Sequence, residues 1–417
     1  MEKYRVGVVD PALGVSGGHH VGFAMMLGEM LCSDESVDYF VNEKLDNEFN
    51  HWMTSNGMVV QPCFSSNFYS NYSDSSANSS SVVVGIIALA KEYIAVIEQV
   101  MARGVRYKLL YHTLNWDHAN ALSLAIQYIS HLDVVSDRVE HCVLLMFNPG
   151  LTHNGVFFDK KNSLNFRVGL RKLEKMSNVS LCTSCSEYSS SYSQLLGLKR
   201  ELVTHPFIFC QKPSTPHPDS LVINGLHNAK ILVFVGDAKR DKGFHRVPDT
   251  LRWLQENCDD DARLVIQYSR TPSWETSNLI ATEHEIQVIA ASDSRIEVCN
   301  QFWTQIEFEK QMGEADFLIL DYEQDTYAEK TSGYLWHAFV FGLAVLAKKS
   351  SWMWREGRRF GLPVATWSDA DTLHDIESRL LCGSSISIDT EYVGKIFQPF
   401  WAWFTENPLR AVVDSKV

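Results

Sequence analysis

The feature that most constrains the fold is a recurring alternation of a short apolar run, a turn, and a longer stretch with apolar residues at helical spacing. Residues 4–10, YRVGVVD, read as a buried strand; the glycine-rich GVSGGHH follows, and VGFAMMLGEML then carries a helical repeat. SVVVGIIAL, YKLLYHTL, HCVLLMFN and NVSLCTS are further short apolar runs, several leading into helix-like stretches. After residue 220 the grammar restarts. AKILVFVGD, ARLVIQYS, SRIEVCNQF and ADFLILDY read as strands, DTLRWLQEN and SGYLWHAFVFG as helices, the last leading to LAVLAKK. Apolar strands that return through helices specify a parallel sheet covered on both faces.

The chain has 417 residues, 45% of them hydrophobic, enough for two such sheets at about 100 to 200 residues per domain. The expected architecture is α/β: two doubly wound Rossmann-like domains, residues 1–212 and 213–395, facing a cleft at their strand carboxyl ends. The four prolines within residues 204–220 mark the linker, and the aromatic segment FQPFWAWFTENPLRAVV within residues 396–417 is expected to form a helix returning toward the first domain. The Ser/Asn-rich residues 63–81 have too little aliphatic content for a core element and read as a surface loop.

A formal net charge of -13 argues against a nucleic-acid partner. No N-terminal stretch combines a basic start with an apolar run and a cleavage site, and no apolar run reaches the roughly 18 residues of a membrane span, so a soluble, cytoplasmic protein is expected. The nine cysteines lack repeated metal spacing, and Cys182 with Cys185 has no second ligand pair. NCDDDAR, between a helix and a strand pattern, reads as a solvated loop. No metal site is expected.

The turns after the leading strands carry the chemistry. In the first half Gly14, Gly17 and Gly18 precede a helix, where backbone amides can approach an anion; the spacing is not G-x-G-x-x-G, and a plain tight turn is the competing reading. In the second half Lys239, Arg240 and Lys242 crowd a strand end and could neutralise a diphosphate, or form a solvated charge cluster. Thr331, Ser332 and Gly333 open an apolar helix, and their amides and hydroxyls would form a second anion site.

These stretches, the N-terminal glycine loop, GDAKRDKG, ADFLILDY and EKTSGYLWHAFVFGLAVLA, resemble the retaining nucleotide-sugar glycosyltransferases of the GT-B fold, especially the family-four group. The resemblance implies that Lys239 or Arg240, with Lys242, grips a donor diphosphate. Glu329 matches the first residue of the family's Glu-x7-Glu motif, which touches the donor sugar. His337 stands at the second, ribose-binding position and departs from the pattern. It implies a donor-binding set of Gly17, Gly18, His19, Lys239, Arg240, Lys242, Thr331, Ser332, Gly333 and His337, with Glu329 and His112 as catalytic residues. His112, at the end of YKLLYH, competes with His19 and His20 for a role beside the donor sugar or acceptor. The implied activity is hexosyl transfer from a nucleotide-sugar to a saccharide, lipid-linked or protein acceptor, with retention and without a metal. The nucleotide-sugar is a substrate and no cofactor is implied. Peripheral membrane association and oligomeric state are left open, as are two rival readings: an epimerase or phosphorylase of the same fold, and an inactive transferase-like partner subunit.

Overall fold

A computed structural model describes residues 4–14, 18–31, 37–65, 79–131, 138–205, 229–270, 279–366, 398–400 and 402. The chain divides into two compact units, Met1–Phe209 with Gly394–Val417, and Cys210–Val393.

The first unit is built on strands β1 (Arg5–Asp10), β2 (Asp38–Asn42), β3 (Val59–Phe64), β4 (Tyr107–Tyr111), β5 (Val139–Leu145), β6 (Val179–Thr183) and β7 (Val203–Thr204), all parallel, in the order β3-β2-β1-β4-β5-β6-β7. Alternate residues of these strands face opposite layers. Val8, Tyr39, Val41, Leu110 and Leu144 share a core with the helices Gly18–Leu31 and Asn47–Ser55, and Phe400 joins it. Helices Ser79–Ala102, Trp116–Ser130 and Lys160–Leu173 pack side by side.

One expected strand is a helix. SVVVGIIAL lies inside Ser79–Ala102, because no turn residue separates Leu89 from the following AKEYIAVIEQVMA. Leu89, Tyr93, Val96, Ile97 and Val100 are buried at helical spacing, so burial outweighs the strand preference of the three valines. The loop expected over residues 63–81 is correspondingly shorter: Cys63 and Phe64 end β3, and residues 79–81 belong to the helix. Residues 66–78, most of the proline-rich linker and most of the C-terminal aromatic segment lie outside the described residues.

The second unit has six parallel strands, β8 (Lys230–Asp237), β9 (Arg263–Ser269), β10 (Ile296–Cys299), β11 (Phe317–Leu320), β12 (Ala344–Ala347) and β13 (Val364–Thr366), in the order β10-β9-β8-β11-β12-β13. Its core joins Ile231, Val233, Leu264, Ile266, Phe317 and Ile319 to Leu251, Leu254 and Ile286 from the flanking helices Val247–Asn257 and Leu279–Ser292.

In both sheets the first strand lies inside and later strands add on either side of it. The reversal falls between β1 and β4 in the first sheet and between β8 and β11 in the second. Crossovers leave these points in opposite directions, so each opens a crevice at the strand carboxyl ends where open α/β sheets bind ligands.

Candidate functional site

In the second unit, the turn after β8 meets the segment after β11 at the reversal point. Gly236, the penultimate residue of β8, has φ +115°, and its amide donates to the Gln267 side-chain oxygen at 2.9 Å. A Cβ there would lie 2.7 Å from the Tyr334 hydroxyl, so only glycine lets that ring stand against the strand end. Gly243 closes the turn with φ +77°, and a Cβ on it would fall 2.0 Å from the backbone oxygen of Asp321. The two segments are tied again by Lys330 to Asp241 at 2.9 Å and by the Glu323 amide donating to the Asp241 carbonyl at 2.9 Å. Arg246 and Lys348 both bind the Asp321 carboxylate at 2.8 Å.

Gly243→Ala is expected to destabilise this unit by about 2 kcal/mol or more, since alanine is strained at that φ and the backbone oxygen it meets cannot move aside. Thermal unfolding should show a fall of roughly 4 °C or more. An unchanged melting temperature would mean that the two segments are not locked together.

The three expected cations do not act as a set. Lys239 binds the Asp237 carboxylate at 3.0 Å and Lys242 approaches the same oxygen at 3.5 Å, with side chains 46% and 17% exposed. Arg240 is 70% exposed and turns to Glu323 at 3.7 Å instead. Burial pushes the Lys242 ammonium below its ordinary pKa, opposed by Asp237. Burial alone would raise the Asp237 carboxyl, but Lys242 and then Lys239 hold it below the usual carboxylate range. Lys242 Nζ also lies 5.7 Å from the centre of the Tyr334 ring.

Tyr334 belongs to the helix Gly333–Phe341, with Ser332 at its N-cap; the Ser332 side chain makes no capping bond and its oxygen lies 3.5 Å from the Tyr322 hydroxyl. The first amides of this helix therefore carry their dipole without a serine cap, beside the ring that contacts Lys242. Thr331 and Glu329, half-buried, lie in the segment leading into it. His337 sits one turn in, edge-on to Phe308 with ring centres 4.6 Å apart and 6.3 Å from Tyr334. Burial lowers its pKa to about 4, so it is a neutral imidazole at physiological pH.

The first unit repeats the placement with different chemistry. Asp10 ends β1, and one of its carboxylate oxygens lies 3.0 Å from His112 Nδ1, just past β4, and 2.9 Å from His20 Nδ1 on the helix Gly18–Leu31. All three side chains are buried. Phe23 stacks on His112 at 3.9 Å, and Thr113 next to it has φ +55°, an uncommon conformation for threonine. Burial would raise the Asp10 carboxyl, but His20 and His112 hold it far below the usual range; burial lowers His112, against the pull of Asp10. Each residue offers one ligand atom within 4.8 Å of the others, a donor set suited to a borderline cation such as zinc. The spacings also match two imidazole N–H groups donating to one carboxylate oxygen.

His112 thus lies at the reversal point of its sheet. Gly17 lies outside the described residues, and Gly18 and His19 open a helix. Asp10, Asp237 and Tyr334 were not singled out in the sequence. Asp10 and Asp237 both close a strand just before a glycine-containing turn, and that shared position was the available signal. Nothing local marks Tyr334, because its contact with Gly236 spans the sheet.

No family model and no curated protein matches the chain. Solved structures do. The Candida albicans trehalose-6-phosphate phosphatase N-terminal domain is similar over 95% of this chain and 93% of its own, with TM-score 0.58 at 9% identity. Anabaena HepE in complex with UDP is similar over 97% and 100%, with TM-score 0.58 at 13% identity. A Burkholderia xenovorans α,α-trehalose-phosphate synthase (UDP-forming), in complex with glucose-6-phosphate, is similar over 98% of both chains, with TM-score 0.54 at 9% identity. The chain has the GT-B fold. Within GT-B architecture the two doubly wound sheets are the shared frame, and at these identities the side chains that fill the crevices are this chain's own.

Proposed function

We propose that this GT-B chain transfers a hexosyl group from a nucleoside-diphosphate donor to a saccharide, lipid-linked or protein acceptor, with retention and without a metal ion. The observation that carries the reading is Lys242 with Lys239 converging on Asp237 at the β8–β11 reversal, beside the Gly333–Phe341 helix N-terminus. That arrangement offers cations and amides to a diphosphate. Solved similar structures include HepE with UDP and UDP-glucose and MnaA with UDP, which supports a nucleotide-sugar donor.

As the bond from the anomeric carbon to the phosphate oxygen breaks, negative charge grows on the departing nucleoside diphosphate. A charge-assisted bond from Lys242 and the amides at Gly333 and Tyr334 would strengthen in step with that charge, which lowers the barrier rather than merely binding donor. The donor would compete with Asp237 for the two ammonium groups. Glu329 would contact the donor sugar, and His337, neutral, would accept or donate one hydrogen bond at the ribose. His112, oriented by Asp10, would contact the transferred sugar or the acceptor.

The test is a thermal-shift panel of UDP-, GDP-, ADP-, dTDP- and CMP-sugars, followed by NMR of the product formed with the stabilising donor. One donor should raise the melting temperature with or without EDTA, and its sugar should move to an acceptor with anomeric configuration kept. Absence of stabilisation by every donor overturns the reading. Isomerisation of the donor alone, with no acceptor, replaces transfer by epimerisation.

A further inference from the structure

Residues 156–175, VFFDKKNSLNFRVGLRKLEK, carry six Lys or Arg and two acidic residues, net +4, in a chain whose total is -13. Val156, Phe157 and Phe158 are 63%, 48% and 57% exposed, three large apolar side chains in succession. They are not on a loose loop. Leu151 bridges Phe157, the Thr152 amide donates to the Val156 carbonyl at 2.9 Å, and the Phe158 and Asp159 amides both donate to the Gly150 carbonyl, at 3.1 and 3.0 Å. The Ser163 hydroxyl pins the next turn to the Pro149 carbonyl at 2.7 Å.

The helix Lys160–Leu173 continues the surface. Its inner face buries Phe166, Leu170 and Leu173. At about 100° per residue its exposed positions form one arc: Leu164 and Val168 run near the middle, Lys160 and Arg167 lie on one edge, Lys161 and Lys172 on the other. Among the described residues none of these four cations makes an ion pair. Asp159, the acidic residue nearest the tip, is engaged as N-cap, accepting from the Asn162 amide at 2.9 Å.

An apolar centre flanked by long cationic side chains fits a boundary between hydrocarbon and anionic headgroups. The rings and the branched side chains enter the acyl region, and the lysines lie along it with their ammonium groups at the phosphates. A nucleic-acid partner would use the cations and leave the exposed Val-Phe-Phe tip in water, whereas a bilayer surface takes up both. We propose that the hairpin tip Val156, Phe157, Phe158 and the outer face of Lys160–Leu173 dock the protein on an anionic lipid surface, independently of the assignment of a sugar donor.

The experiment is co-sedimentation of the full chain with vesicles of phosphatidylcholine alone and of phosphatidylcholine with phosphatidylglycerol at about 7:3, at low and high salt. The expected result is binding to the anionic vesicles only, weakened by salt. Phe157→Ser/Phe158→Ser and Lys161→Glu/Lys172→Glu should each lower partitioning at least about tenfold with melting temperatures near that of the parent chain. Equal binding to both vesicle types, loss in neither variant, or transfer of binding to duplex DNA overturns the proposal. So does a concentration-dependent dimer that Phe157→Ser/Phe158→Ser abolishes, which would make the surface a contact between copies of the chain.

Discussion

Lys242→Ala is expected to lower kcat/KM for the nucleotide-sugar by roughly 30- to 1,000-fold, about 2 to 4 kcal/mol of lost transition-state stabilisation, while folding is nearly unchanged. The size follows from burial. Among the three cations of this turn Lys242 is the least exposed, so its ammonium is already partly stripped of water and meets a diphosphate at reduced screening. At 3.5 Å from Asp237 it forms an ion pair without a short hydrogen bond, whereas Lys239 is bonded to the same carboxylate at 3.0 Å. Folding survives because alanine leaves Asp237 paired with Lys239, so no charge is buried alone. The same logic ranks the neighbours. Lys239→Ala, half in solvent, should cost under about tenfold, and Arg240→Ala, exposed and turned to Glu323, close to nothing. Steady-state kinetics on the three variants decide it. A reversed order, with Arg240 dominant, would place the diphosphate elsewhere.

That ranking was not legible in the sequence, where Lys239, Arg240 and Lys242 form one basic cluster. What separates them is turn geometry: Gly243 packs on the Asp321 carbonyl and Phe244 enters the core against Phe234 and Tyr268, which fixes the outward directions of the residues before it. Strand identity was readable because buried parallel strands are continuous apolar runs, and AKILVFVGD and ADFLILDY fall on β8 and β11. SVVVGIIAL was misleading for the same reason, since a short apolar run has no period of its own until the following turn or its absence is weighed. Strand order was not readable at all. Asp10 and His112 are 102 positions apart, and only the adjacency of β1 and β4 brings them to 3.0 Å. His337 could be numbered as a departure from Glu-x7-Glu, but its neutral state comes from burial among Phe308 and Tyr334, which spacing does not encode.

The first unit is expected to lose on the order of 5 kcal/mol of stability between pH 7 and pH 4.5, through two histidines that play no part in the proposed chemistry. His118 Nδ1 lies 2.7 Å from the Tyr93 hydroxyl and His141 Nδ1 lies 2.8 Å from the Tyr111 hydroxyl, in the layer between sheet and helices. Burial lowers their pKa values to about 4 and about 3. The unfolded chain takes up a proton on each near pH 6.5, while the folded chain takes up none until much lower pH, so the unfolded state binds more protons throughout the interval and stability falls as pH falls. Asp10 does not offset this, because its lowered carboxyl is ionised in both states across most of the window and contributes only below the ordinary carboxylate range. The second unit has His337, at about 4, as its counterpart and should lose about half as much. Since a domain holds only about 5 to 15 kcal/mol in all, the first unit should approach its unfolding midpoint near pH 4.5. Melting temperature measured from pH 7.5 to 4.5 should fall steeply below 6.5, and His118→Gln/His141→Gln, whose amides can still accept from the tyrosines, should flatten the slope. An equal slope in that double variant would show that the acid sensitivity comes from other groups.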